Sequence, residues 1–221
     1  MGQIFIAALK EETPNLKDFH YSGVGKINAT IKIMELISKF QPNEIINYGT
    51  AGSIKQNLSG LVECTKFVQR DMDARGLMNF KLGETPFDPI SKITYSNEGY
   101  ICASGDSFVQ SSVEIDCDIV DMEAYSFAKV CKLYNIRFKC FKYISDYANE
   151  NSNNDWIDNC SKGAKLFSEV YPEHQKLLQR QYHPQNIKDS PILTYEDPYF
   201  SLPLQLIQCC QDARFQPKQC L

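Results

Sequence analysis

Short apolar runs of strand length alternate along this chain with segments whose apolar residues recur at helical spacing, and few architectures accept that alternation. Residues 3–9 (QIFIAAL) are the first run. After the turn residues Tyr21-Ser22-Gly23-Val24-Gly25-Lys26, the apolar positions Ile27, Ile31, Ile33, Met34, Leu36, Ile37 and Phe40 follow a helical period until Gln41-Pro42 stops it. Residues 44–48 read as a buried strand ending in a small-residue loop, Gly49–Ser53. Strands are expected at 61–69, 91–95, 99–103, 118–121 and 136–144, and helices at 123–134 and 155–171, with 70–90 polar and irregular. The pattern predicts an α/β fold with a largely parallel or mixed sheet. Ligands of such sheets sit outside the carboxyl ends of the strands, which gathers Glu11, Glu12, Thr50, Asp106, Glu123 and Asp146 near one mouth.

Length and charge exclude several alternatives. The 221 residues fit one medium domain with an extension, and 43% hydrophobic residues are too many for wholesale disorder. With 23 Lys+Arg against 27 Asp+Glu, the net charge of -4 gives no electrostatic case for nucleic acid or an acidic membrane. No apolar run approaches the roughly 18–20 residues of a membrane span. The N-terminus lacks a basic leader, and Ile6 stands where a myristoylation signal wants Ser or Thr. The nine cysteines, Cys64, Cys102, Cys117, Cys131, Cys140, Cys160, Cys209, Cys210 and Cys220, include no CxxC, and the three histidines form no HxxxH. They read as reduced, mostly buried thiols of a cytoplasmic protein, with no metal site.

The character changes near residue 173. Residues 173–221 hold five of the ten prolines, and five basic residues balance five acidic ones. The chain is therefore divided into a domain at 1–172 and an extension at 173–221, whose Leu202, Leu204, Leu206 and Ile207 are expected to dock on the domain or on a neighbouring subunit.

Familiar phosphate-loop and nucleophile-elbow motifs are absent. Gly23-Val24-Gly25 suits either a plain turn or backbone donors for a polar ligand at the following helix. The acids are more informative. Glu123 and Asp146 each stand where an apolar strand ends, with Glu12 after the first strand. Singly, each suits a helix N-terminus; together they suit an acid/base site.

Five motifs in register carry a resemblance. SGDSF (104–108), VDMEA (120–124) and ISD (144–146), with GVGKINA (23–29) and INYGTAGS (46–53), resemble the purine nucleoside phosphorylase/nucleosidase superfamily, in particular the 5′-methylthioadenosine/S-adenosylhomocysteine nucleosidases. The acidic run of AALKEE (7–12) fits that branch, and the likeness spans residues 3 to about 171. It implies a three-layer nucleoside phosphorylase-like fold, a central mixed sheet flanked by helices. It also implies hydrolysis of the N-ribosidic bond of adenine nucleosides without a cofactor. Asp146 would be the general acid at the purine, and Glu12 would activate the attacking water. Glu123 and the Met122 backbone would hold the ribose hydroxyls, Phe108 would stack on the base and the Val109 backbone would bond its edge. Thr50 and Gly52 would line the pocket, and Ser145 would position the loop of the acid. Without the motif, Phe108 reads equally well as core packing.

Two features depart from that branch. Lys142 stands where an Arg is usual and is expected to partner Glu123, and 70–76 (RDMDARG) is either a solvated loop or a reshaped ribose 5′ end. Relatives assemble from several subunits, and a homodimer is expected. Phosphate-dependent cleavage, with Lys26, Arg70 and Arg75 as the available cations, and a non-catalytic nucleoside-binding protein are the competing readings.

Overall fold

The computed structural model describes residues 2–171. Its strands are β1 (Gln3–Ala7), β2 (Phe19–Tyr21), β3 (Glu44–Ser53), β4 (Leu61–Gln69), β5 (Ile93–Thr94), β6 (Tyr100–Ser104), β7 (Ile119–Asp121) and β8 (Arg137–Asp146). The helices are α1 (Lys26–Phe40), α2 (Ala124–Leu133), α3 (Ser152–Asn159) and α4 (Gly163–Val170).

Alternation of side chains along the strands builds the layers. Ile4, Ile6, Ile45, Phe138 and Cys140 join the apolar cluster that takes in Ile33, Leu36 and Ile37 of α1 and Phe127, Ala128 and Cys131 of α2. Their neighbours Phe5, Ala7, Ile46, Tyr48 and Phe141 face a second cluster, completed by Phe167 of α4 and Tyr171. Helices thus cover both faces of a mixed sheet, as the resemblance implied.

β3 organises the sheet. It runs parallel to β1 over its first half and parallel to β8 along nearly its whole length. Its last two residues pair antiparallel with β7, through Gly52–Val120 and Ser53–Ile119. β7 pairs with β6, β6 with β4, and β4 with β8, so these five strands close into a ring. β2 and β5 are the ends of the strand path.

Several boundaries differ from expectation for physical reasons. Gly49–Ser53 is not a loop but the second half of β3, because β8 lies beside it as far as Asp146. Its small residues answer crowding: a Cβ on Gly49 would stand 3.2 Å from both Glu12 Oε1 and Lys142 Nζ. β2 is a three-residue edge strand beside β1, too short for alternation to reveal. On α1, Ile27 and Ile31 point outward, and Ala29, Ile33, Leu36 and Ile37 are its buried face.

The helix expected at 155–171 is two helices, broken at Cys160–Lys162. The break lets Gly163 lie on the sheet, where a Cβ would come within 2.3 Å of Tyr143 Cγ and 2.6 Å of the Tyr48 hydroxyl. Segment 70–90 contains neither helix nor strand. The expectations for 173–221, including the docking of Leu202, Leu204, Leu206 and Ile207, lie outside the described residues. The six described cysteines are free and buried. No helix of the described residues is long and apolar enough to cross a membrane.

Gly163→Ala forces a methyl into Tyr143 and Tyr48, where overpacking typically costs about 1–3 kcal/mol. Urea unfolding should show that loss; an unchanged midpoint would mean α4 is not seated on the sheet as described.

Candidate active site

A cavity of about 260 Å³ opens where the carboxyl ends of β1, β3, β7 and β8 converge. All nine residues singled out from the sequence line it: Glu12, Thr50, Gly52, Phe108, Val109, Met122, Glu123, Ser145 and Asp146. Two other acids expected at the mouth do not. Glu11 is exposed on the outer side of its turn, and Asp106 is engaged with the first turn of α1.

Glu12 ends a 3₁₀ turn after β1 and is only 4% exposed. Its Oε1 accepts from the Thr50 backbone N–H and hydroxyl, both at 2.8 Å, and its Oε2 accepts from Leu9 N–H at 3.0 Å. Three donors on one carboxylate fix its orientation. Asp146, 5% exposed, ends β8. The Ser145 hydroxyl donates to its Oδ2 and Ala148 N–H to its Oδ1, each at 2.9 Å. Gly52 gives this carboxylate its room, since a Cβ there would lie 2.7 Å from Oδ1.

Lys142 does not partner Glu123. Its Nζ lies 2.8 Å from Asp121 Oδ2, with both side chains buried. Asp121 also accepts from the Ser104 hydroxyl and from Ala124 N–H. Burial alone would raise the Asp121 carboxyl, but Lys142 and these hydrogen bonds hold it below the usual range. Burial likewise opposes charge on Lys142, and the Asp121 carboxylate overcomes it and lifts the ammonium well above its ordinary value.

Glu123 instead accepts from Gly25 N–H at 2.7 Å. Gly25 has φ +96°, a conformation that strains any residue with a Cβ, and this turn aims its N–H at the cavity wall. Lys26 N–H bonds Asp106 Oδ1 at 2.7 Å. The Gly25 and Lys26 donors at the start of α1 therefore serve protein carboxylates. Burial, then the neighbouring Asp121 charge, push the Glu123 carboxyl up to about 8.

Of the three cations available to an anionic ligand, only Arg70 lines the cavity. Its guanidinium lies across the 104–108 loop, donating to the Ser107 hydroxyl and the Gly105 carbonyl, each at 3.0 Å, and to the Ser107 carbonyl. Arg75 is paired with Asp73 and Glu114, and Lys26 with Asp71 and Asp106. The stretch 70–76 is thus neither wholly solvated nor wholly in the pocket. Phe108 stands at the mouth, 46% exposed, so it is not core packing. Among the described residues no group of His, Cys, Asp or Glu is placed to hold a metal ion.

Sequence reasoning missed Trp156 and Asn153 of α3 and the pairing of Lys142 with Asp121. The signal for the last was present in the alternation of β8: Lys142 falls on the face of the buried Phe138, Cys140 and Ile144, opposite Arg137 and Lys139, and a Lys on a buried face demands a counter-charge.

Because the Glu123 carboxyl is raised in the fold, the native state keeps a proton that the unfolded chain loses. Stability therefore falls as pH climbs from the ordinary carboxylate range to about 8. Glu123→Gln mimics the protonated form, so its melting temperature relative to the unsubstituted protein should be higher at pH 8 than at pH 5. Equal differences at both pH values would show that Glu123 does not titrate in that window.

The chain matches the Phosphorylase superfamily over residues 20–172. It is 30% identical over 184 residues to the 5′-methylthioadenosine/S-adenosylhomocysteine nucleosidase of Staphylococcus haemolyticus (strain JCSC1435), covering 71% of this chain and 80% of that one. With the enzyme of the same name from Staphylococcus aureus (strain JH9) it shares 31% over 180 residues, 67% and 78% of the two chains. Its fold is similar to that of the Helicobacter pylori 5′-methylthioadenosine/S-adenosylhomocysteine nucleosidase, at TM-score 0.70 and 23% identity over 80% of this chain and 98% of the other. It is also similar to futalosine hydrolase of Helicobacter pylori strain 26695, at TM-score 0.71, 23% identity and the same coverages. With the closed mixed ring and the three buried acids on one cavity, these likenesses assign the family: the chain belongs to the phosphorylase superfamily, among the relatives of the 5′-methylthioadenosine/S-adenosylhomocysteine nucleosidases.

Proposed function

We propose that this protein is a nucleosidase that hydrolyses the N-ribosidic bond of adenine nucleosides of the 5′-methylthioadenosine/S-adenosylhomocysteine type, releasing adenine. The observation that carries the reading is the convergence of Glu12, Glu123 and Asp146, all nearly buried, on one cavity. Asp146 donates a proton to the imidazole-ring nitrogen of the purine, so the electron pair of the breaking C–N bond leaves on a neutral base. Glu12 orients a water and takes its proton as the oxygen bonds to the anomeric carbon. The products are adenine and the free sugar. Glu123, protonated at neutral pH, can donate as well as accept, which suits ribose hydroxyls beside the Met122 backbone. Phe108 at the mouth offers a face for the base, with the Val109 backbone at its edge, and Ser145 steadies Asp146.

Charge placement favours water over phosphate as the nucleophile. A phosphate dianion beside Glu12 would meet repulsion of about 4 kcal/mol per pair of unit charges at 4 Å and an effective dielectric near 20. The cations that could offset it are already engaged by carbonyls and carboxylates. The six described thiols, free and buried, suit a reducing compartment, so we infer a cytoplasmic enzyme, and the proposed substrates suit purine and methionine salvage. We further propose that it works as a homodimer, for which the outward-facing Ile27 and Ile31 are a suitable apolar patch.

Asp146→Asn should lower kcat by roughly 10²–10⁴, the usual weight of a general acid, in an adenine-release assay. Near-normal turnover would remove Asp146 from that role. Glu12→Gln should cripple turnover while leaving adenine binding largely intact, as calorimetry would show.

Adding phosphate should neither accelerate release nor yield a sugar 1-phosphate. Phosphate-dependent turnover with that product would make this a phosphorylase, and binding without any turnover would make it a nucleoside-binding relative.

A further inference from the structure

The chain has one tryptophan, Trp156, which lies on α3 and lines the cavity. An indole N–H can only donate a hydrogen bond, whereas a hydroxyl has one proton to give and lone pairs to receive. Trp156 Nε1 stands 3.0 Å from Thr50 Oγ1, so the indole occupies an acceptor position of that hydroxyl. The single Thr50 proton is then free to donate, and Glu12 Oε1 lies 2.8 Å away. The chain of donors runs one way, from Trp156 to Thr50 to Glu12. Such chains strengthen each member by polarisation.

The helix that carries the indole is anchored at the other acid. Asn159 Nδ2 donates to the Ser145 carbonyl at 2.9 Å, and Ser145 in turn donates to Asp146. The position of α3 therefore sets both the direction of the Thr50 proton and the loop of Asp146.

We infer that Trp156 is a positioning residue: through the Thr50 hydroxyl it holds the Glu12 carboxylate in the orientation that water activation needs. The inference rests on the reading of Glu12 as the group that orients water. It concerns the indole N–H specifically. The ring alone would line the cavity equally well as phenylalanine.

The test is a double-mutant cycle with an independent spectroscopic arm. Trp156→Phe should lower kcat about two- to tenfold, the span of one neutral hydrogen bond, with KM nearly unchanged. Thr50→Val removes the hydroxyl, and adding Trp156→Phe to it should cost nothing further. The same loss in both backgrounds would overturn the inference, because that is what altered ring packing gives. The lone tryptophan provides a single indole N–H signal in a nitrogen-15 correlation spectrum. Thr50→Val should shift that signal and speed its exchange with solvent; an unmoved signal overturns the inference whatever the turnover. Absence of hydrolysis by the unsubstituted protein would instead defeat the proposed function, and the indole signal separates the two failures.

Discussion

A single buried ammonium holds this site together. Lys142 enters from β8 and meets Asp121 at the end of β7, while Asp121 reaches Ser104 of β6 and the first N–H of α2. Ser104 closes the network by accepting from Tyr125 N–H at 2.8 Å. Three strands and a helix are thereby locked in register at the level of the cavity. A buried pair of this kind adds little net stability over a well-packed apolar pair, but removing one partner costs roughly 3–5 kcal/mol. Its value here is placement. It brings one positive charge among carboxylates that would otherwise repel one another, and it fixes Asp121 as an anion whose field adds to burial in raising the neighbouring Glu123 carboxyl.

That charge pattern explains why Glu12 and Glu123, two buried acids on one cavity, are built so differently. Glu12 accepts three hydrogen bonds, so the fold holds it with positive ends of bonds. Glu123 has the Gly25 N–H on one oxygen and an anion close by. The glycines at 49 and 52 make this density possible, one between Glu12 and Lys142, the other under Asp146. Replacing either hydrogen with a methyl would press on a carboxylate.

The layers and the acids of the cavity were legible because they depend on local pattern, whereas Gly52, Phe108, Val109, Met122 and Ser145 came with the family resemblance. Alternating Ile4-Phe5-Ile6-Ala7 declares two buried faces, and acids at the ends of strands converge wherever such strands lie side by side. What escaped depends on distant geometry. The Gly49–Ser53 run has loop composition, and only the neighbouring β8 and β7 make it a strand. Which acid pairs with Lys142 turns on the path of β7, since Asp121 and Glu123 are two residues apart. Trp156 reaches Thr50 across 106 positions of sequence, a contact that no local pattern announces. The split between α3 and α4 likewise follows from the fit of Gly163 against two tyrosines.

The ring closed by Gly52–Val120 and Ser53–Ile119 also bears on how the protein behaves in a crowded solution. An open sheet presents rows of unpaired backbone donors and acceptors along which other chains can add, the route to aggregation and fibrils. Here, among the described residues, the strand path ends at β2, with three residues, and β5, with two. Neither is long enough to template an incoming strand, and His20 at the centre of β2 sits near Lys32, Glu35 and Lys39. The closure that gathers the acids therefore also withholds the backbone from intermolecular β-pairing.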